Sequence, residues 1–110
     1  METISIESSK WRPLQEIENV LVKHWRVERA GADTLVVHGT RGRAYLYADS
    51  EKARSFRLLL DYSDIELAKQ LLEVIADDPD IVVDNDFGTV LPGNQFVARI
   101  RSERGWDWRR

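Results

Sequence analysis

Four aspartates, Asp78, Asp80, Asp84 and Asp86, fall within one short stretch of the chain. Clustered carboxylates raise two chemistries: calcium binding by a loop rich in oxygen ligands, and general acid–base work by a carboxylate pair. Asp84-Asn85-Asp86-Phe87-Gly88 begins like a calcium loop. Its glycine comes one position early, and Gln95 stands where the bidentate carboxylate would be needed. Acid–base use of Asp84 and Asp86 would require one buried carboxyl, and nothing in the local sequence marks one. The two histidines, His24 and His38, lack the spacing of a helical metal-hydrolase motif. No G-x-S-x-G elbow and no cysteine is present, so thiolate catalysis, thiolate metal ligation and disulfides are excluded. Gly39-Thr40-Arg41-Gly42-Arg43 has the glycines of a phosphate cradle but no P-loop lysine, and a strand-like run follows it. These residues give no catalytic, metal or cofactor assignment.

Charge is more informative. Residues 61–95 carry nine carboxylates and a single base, Lys69, whereas residues 96–110 carry five arginines and two acids. Uneven charge of this kind favours an oriented, electrostatically steered encounter. The expected partner is a protein with a basic surface, met through Asp77, Asp78, Asp80, Asp84 and Asp86. A pI near 5.4 argues against nucleic acid. Four tryptophans are many for 110 residues, and Trp106 and Trp108 lie in Gly105-Trp106-Asp107-Trp108-Arg109-Arg110. Two indoles left in water forfeit roughly 1.5–3 kcal/mol each. They either fold back onto the domain or dock elsewhere. In the docking case Trp106, Trp108 and Arg109 join the partner surface, with an arginine of the tail stacked on an indole. Trp11 and Trp25 read as core or core-edge.

The elements that position these groups follow from periodicity. Thr3–Glu7 alternates around Ile4 and Ile6, as a strand does. Ser8 and Ser9 offer caps, and Pro13 to Lys23 reads as a helix with Leu14, Ile17 and Leu21 on one side. Runs beginning at Trp25, Leu35 and Arg43, joined by Gly31-Ala32-Asp33 and Gly39–Gly42, form an antiparallel meander. Ser55–Tyr62 alternates at Phe56, Leu58, Leu60 and Tyr62 and is preferred as a fourth strand; a helix opened by Ser50 competes. Ser63-Asp64-Ile65-Glu66 has capping-box form, with Ser63 as cap to a helix striped by Ile65, Ala68, Leu72 and Ile75. Asp77, Asp78 and Pro79 end it. Ile81–Val83 is a short strand. Phe96–Arg101 reads as a last strand, with a helix from Gly93 or Asn94 as the competitor.

The expectation is one α+β domain, residues 1–104, with an antiparallel sheet against two helices in the order β-α-βββ(β)-α-ββ. Residues 105–110 form a Trp/Arg-rich tail. This order, the acidic pI and the size are similar to small bacterial secretion chaperones, a likeness of element order carried by no residue motif. The leading expectation is a non-enzymatic interaction module (adaptor, secretion-chaperone-like or immunity-type). The alternative is a small-ligand or enzyme domain whose cleft between sheet and helices is lined by His38, Arg43, Tyr45 and Tyr47. METISIESSK shows neither a cationic nor an apolar leader segment. No apolar run approaches bilayer length. The expected location is the cytoplasm, and a dimer would help so small a core.

Overall fold

The computed structural model describes residues 1–10, 12–49 and 56–110. The readings of Trp11, and of Ser50 and Ser55 as helix cap and strand start, lie outside them. Among the described residues the order is β1 (Glu2–Ser8), α1 (Leu14–Leu21), β2 (Arg26–Arg29), β3 (Thr34–His38), β4 (Arg43–Asp49), β5 (Phe56–Tyr62), α2 (Ile65–Ile75), β6 (Ile81–Asp84), β7 (Val90–Pro92) and α3 (Gly93–Ser102). This is the α+β class expected from the sequence, with a third helix. The sheet runs β2-β3-β4-β5-β1-β6-β7, and every paired neighbour is antiparallel. β2 to β5 form the meander. β1 is inserted between β5 and β6, so the first strand joins the two halves of the sheet.

Period-2 alternation sorts each strand into two faces. Ile4 and Ile6, Leu35 and Val37, Ala44 and Leu46, Leu58, Leu60 and Tyr62, Ile81 and Val83 all turn inward and are buried. The helices close this face with Ile17 and Leu21 from α1, Ile65, Ala68, Leu71 and Leu72 from α2, and Phe96 and Ile100 from α3. α2 lies between α1 and α3. The two outer strands are guarded against edge pairing: β2 carries Arg26, Glu28 and Arg29, and β7 is three residues long and ends in Pro92.

Several boundaries differ from expectation. α1 is shorter, with Pro13 as its extended N-cap and no side-chain cap. Ser8 does not cap it; its Oγ accepts the Lys10 N–H at 3.2 Å. The cap of α2 is Asp64, whose Oδ1 accepts the Glu66 N–H at 3.1 Å; Ser63 is the residue on which β5 leaves the sheet. The segment Phe96–Arg101 is helical, and the last strand is Val90–Pro92. Two facts decide this. Phe96, Val97 and Ile100 bury one helical stripe, and Arg99 and Arg101 lie in the last turn, where the helix dipole favours cations. Gly93 opens that helix where a Cβ would come 2.0 Å from the Ala76 carbonyl oxygen, so only glycine allows α3 this close to the end of α2.

The terminal segment belongs to the core. Trp108 is 5% exposed, and its Nε1 donates to the Tyr62 hydroxyl at 2.6 Å. Trp106, Trp108 and Phe96 stand with ring centroids 5.2–5.6 Å apart, distances at which tilted and edge-on aromatic pairs attract. The arginine stacked on an indole is Arg99 of α3, 3.9 Å above Trp106, not one from the tail. Arg109 is instead held on Asp107, with Nε to Oδ1 at 3.0 Å and Nη2 to Oδ2 at 3.1 Å.

Candidate functional site: the open face of the sheet

Because all three helices lie on one side, the opposite face of the sheet carries no described helix or strand. The register fixes what that face presents. One row across the strands reads Thr34, Tyr47, Leu59, Ser5, Asp84, Val90. The next reads Asp49, Arg57, Glu7, Val82, Pro92. A third reads Val36, Tyr45, Asp61, Thr3. Tyr45 and Tyr47 are two apart on β4, share a face, and stack with centroids 6.4 Å apart and planes 14° apart.

A groove of about 300 Å³ runs along the β5-β1-β6-β7 part of this face. Leu59, Val82 and Val90 supply its apolar lining, and Glu7, Asp84, Asp86 and Arg57 its charges. Val82 and Val90 are 42% and 58% exposed. With Phe87 at the tip, they put three of the six exposed large apolar side chains among the described residues on the β6–β7 hairpin. Among the described residues, from β4 to β7 the face sets five carboxylates, Glu7, Asp49, Asp61, Asp84 and Asp86, against two guanidiniums, Arg43 and Arg57. Arg57 is shared between Glu7 at 3.4 Å and Asp49 at 3.6 Å, and it is half exposed, so each pair is worth little individually. Thr3 donates to Asp61 at 2.7 Å. Burial raises the pKa of the Tyr47 phenol first of all, and the neighbouring Asp61 carboxylate adds to it.

The hairpin holds its acids in fixed positions. Asp84 Oδ1 accepts the Asp86 N–H at 2.9 Å. Asn85, fully buried, accepts from the Phe87 and Thr89 N–H groups at 2.8 and 3.1 Å. Asp86 adopts φ of 62°, a conformation that Asp and Asn tolerate better than other non-glycine residues. These Asx turns account for the Asp-Asn-Asp run: one oxygen of Asp84 is used by the turn, and the remaining carboxylate charge faces outward along the groove.

The acids that the sequence grouped together are divided. Asp77, Asp78 and Asp80 lie at the corner after α2 and are paired within the chain. Arg101 reaches Asp77 at 3.3 Å, Arg12 reaches Asp78 at 2.6 Å and Lys10 reaches Asp80 at 3.3 Å. Asp78 also accepts the Asp80 N–H at 2.8 Å, and that hydrogen bond, then Arg12, holds its carboxyl below the usual range. These three shape a corner; Asp84 and Asp86 belong to the open face. Trp108 offers no surface, Trp106 is half-buried beneath Arg99, and Arg109 is tied to Asp107 and to the Ser63 carbonyl. Of the residues expected to line a sheet–helix cleft, Arg43, Tyr45 and Tyr47 lie on the open face, and the sheet–helix interface is filled by core side chains. His38 pairs with Arg43 at the end of the same face, beside Glu28, and also borders a cleft at that end of the sheet.

Glu7, Arg57, Leu59, Val82 and Val90 were not singled out from the sequence. Their signal was present as the outward half of each alternation. What brings them together is the insertion of β1 between β5 and β6. No described helix is long and apolar enough to cross a membrane. No family model, curated protein or solved structure matches the chain.

Proposed function

We propose that this protein is a non-enzymatic interaction module that binds a basic protein partner through the open face of its sheet. One observation carries the reading: a sheet face with no described helix or strand over it combines exposed Val82 and Val90, a tyrosine pair and, among the described residues, a surplus of carboxylates. Interfaces draw their energy from apolar and aromatic anchors, while surrounding charge steers approach and sets specificity. The reading therefore assigns Tyr47, Leu59, Val82 and Val90 as anchors and Glu7, Asp84 and Asp86 as the steering charge. A partner of complementary chemistry presents an aliphatic ridge flanked by Lys or Arg. A cytoplasmic setting is part of the proposal; a chain without cysteine fits a reducing compartment.

The test is a comparison of charge variants. In D84N/D86N the asparagine at position 84 can still accept the residue 86 N–H through its Oδ1, and asparagine tolerates the positive φ at position 86, so the hairpin is kept and two charges are lost. D77N/D80N removes two charges from the corner instead. Proteins captured by the wild-type chain are quantified against both variants at increasing salt. The open-face reading expects a captured basic protein whose association slows about tenfold or more in D84N/D86N and with salt, and barely changes in D77N/D80N. Equal capture by all three chains, independent of salt, would refute it.

A further inference from the structure

At the opposite end of the sheet from β7, a second cleft of about 630 Å³ opens between the α1–β2 corner, the β3–β4 turn and the first turn of α2. Half-buried Trp25 and buried Leu67 form its apolar wall, and His24, His38, Thr40 and Arg41 are among the polar residues that line the rest, with Asp64 and Glu66 at the start of α2. The wall is built by a close approach: a Cβ on Gly39 would come 2.8 Å from Leu67 Cδ2, so the β3–β4 turn is seated directly on α2. The size falls within the range of small-molecule sites, which pair an apolar lining with a few convergent polar groups.

The charges around this cleft are not equivalent. Its carboxylates are already engaged. Asp64 caps α2 by accepting the Glu66 N–H, and Glu66 holds Lys69 at 3.3 Å. Arg26 is committed to Glu28 at 2.6 Å. Glu28 Oε2 also stands 3.4 Å from His38 Nε2, and that nitrogen is shielded from water without a hydrogen bond. Arg41 and His24 differ from these groups, because neither side chain has a hydrogen-bond or ion-pair partner among the described residues. Arg41 is exposed at the rim. The cleft therefore offers an indole wall and an uncommitted guanidinium, while its acids are turned to internal work.

We propose that this cleft binds a small aromatic anion, a planar ring lying against Trp25 and Leu67 with its carboxylate or phosphate on Arg41. A guanidinium meets either group through paired N–H donors. The proposal is independent of the docking reading, none of whose assigned residues lines this cleft.

The test is a titration of the ¹⁵N-labelled full chain with phenyl phosphate, benzoate, inorganic phosphate and benzyl alcohol. At least one ring-bearing anion is expected to give saturable shifts of the Trp25 indole N–H and of the Gly39, Thr40 and Arg41 amides. The stronger of the two identifies the preferred acid group. Inorganic phosphate and benzyl alcohol each lack half of the ligand and bind more weakly. R41Q, a change at an exposed residue without a partner among the described residues, keeps the fold, as its dispersed amide spectrum will show, and weakens binding about tenfold or more. Absence of saturable shifts from both ring-bearing anions at about 10 mM, well above a millimolar dissociation constant, would overturn the proposal. So would binding that R41Q leaves unchanged.

Discussion

Removing the Trp108 side chain is expected to be among the most damaging single changes in this chain, although it lies two residues from the end. The indole is 5% exposed, touches Phe96 and Trp106, and donates to the fully buried Tyr62 hydroxyl. Truncating a buried Trp to Ala costs about 3–5 kcal/mol. A small domain has only about 5–15 kcal/mol in total. W108F separates the parts: it retains most of the apolar contact but leaves the Tyr62 hydroxyl without its donor, a loss of about 1–3 kcal/mol. Urea unfolding followed by far-ultraviolet circular dichroism measures both without using tryptophan as the probe. W108A should lower the midpoint by about 2 M, taking about 4 kcal/mol and a slope of about 2 kcal/mol per molar urea, and W108F by less. A chain ending at Arg104 should fall at least as far as W108A. An unchanged midpoint in that truncation would refute the place of the terminal indoles in the core. The same result bears on binding assays, since a tail deletion that weakens the fold cannot report on a docking surface.

Three further outcomes follow from the packing. G93A should destabilise by more than an ordinary Gly-to-Ala change, because the new Cβ meets the Ala76 and Asp78 carbonyl oxygens; thermal denaturation reads this, and a midpoint at or above wild type would contradict it. Acid should unfold the protein partly through Asp78 and Asp107, whose carboxyls are held below the ordinary Asp value of 3.8. The stability they confer is complete above that value and disappears as the pH falls from it through the lowered folded values, so D78N and D107N should each flatten the loss of urea midpoint between about pH 5 and pH 3. D84N/D86N should leave the urea midpoint near wild type, because its asparagines can preserve the turn; a large drop would mean that the carboxylate charges are needed for folding.

Much of the fold is legible where one face of an element is buried. Ile4 and Ile6, Phe56 to Tyr62 and the Tyr45/Tyr47 alternation mark β1, β5 and β4, and the Ile65–Ile75 stripe marks α2. Local pattern fails where tertiary contact decides. Three residues, Val90–Pro92, are too few for alternation to register, and Phe96–Arg101 fits either period until the close seat of Gly93 on α2 is known. Trp106 and Trp108 looked unpartnered because Tyr62 and Phe96 are distant in sequence. The candidate site was half visible. Asp84 and Asp86 stood out as charge, and Tyr45 and Tyr47 as aromatic residues, but Glu7, Arg57, Leu59, Val82 and Val90 read as ordinary outward positions. Their grouping depends on β1 pairing with β5 and β6. Counting carboxylates along the chain also overstated the patch, because Lys10, Arg12 and Arg101 neutralise Asp80, Asp78 and Asp77 from other elements.

The open sheet face is tested most directly by methyl chemical-shift mapping of the ¹³C-labelled chain with its captured partner at saturation. Docking on that face predicts large shifts at the Leu59, Val82 and Val90 methyls and none at Val20 and Val22, which are exposed around the end of α1. Shifts at Val20 and Val22 with Leu59, Val82 and Val90 unmoved would contradict it.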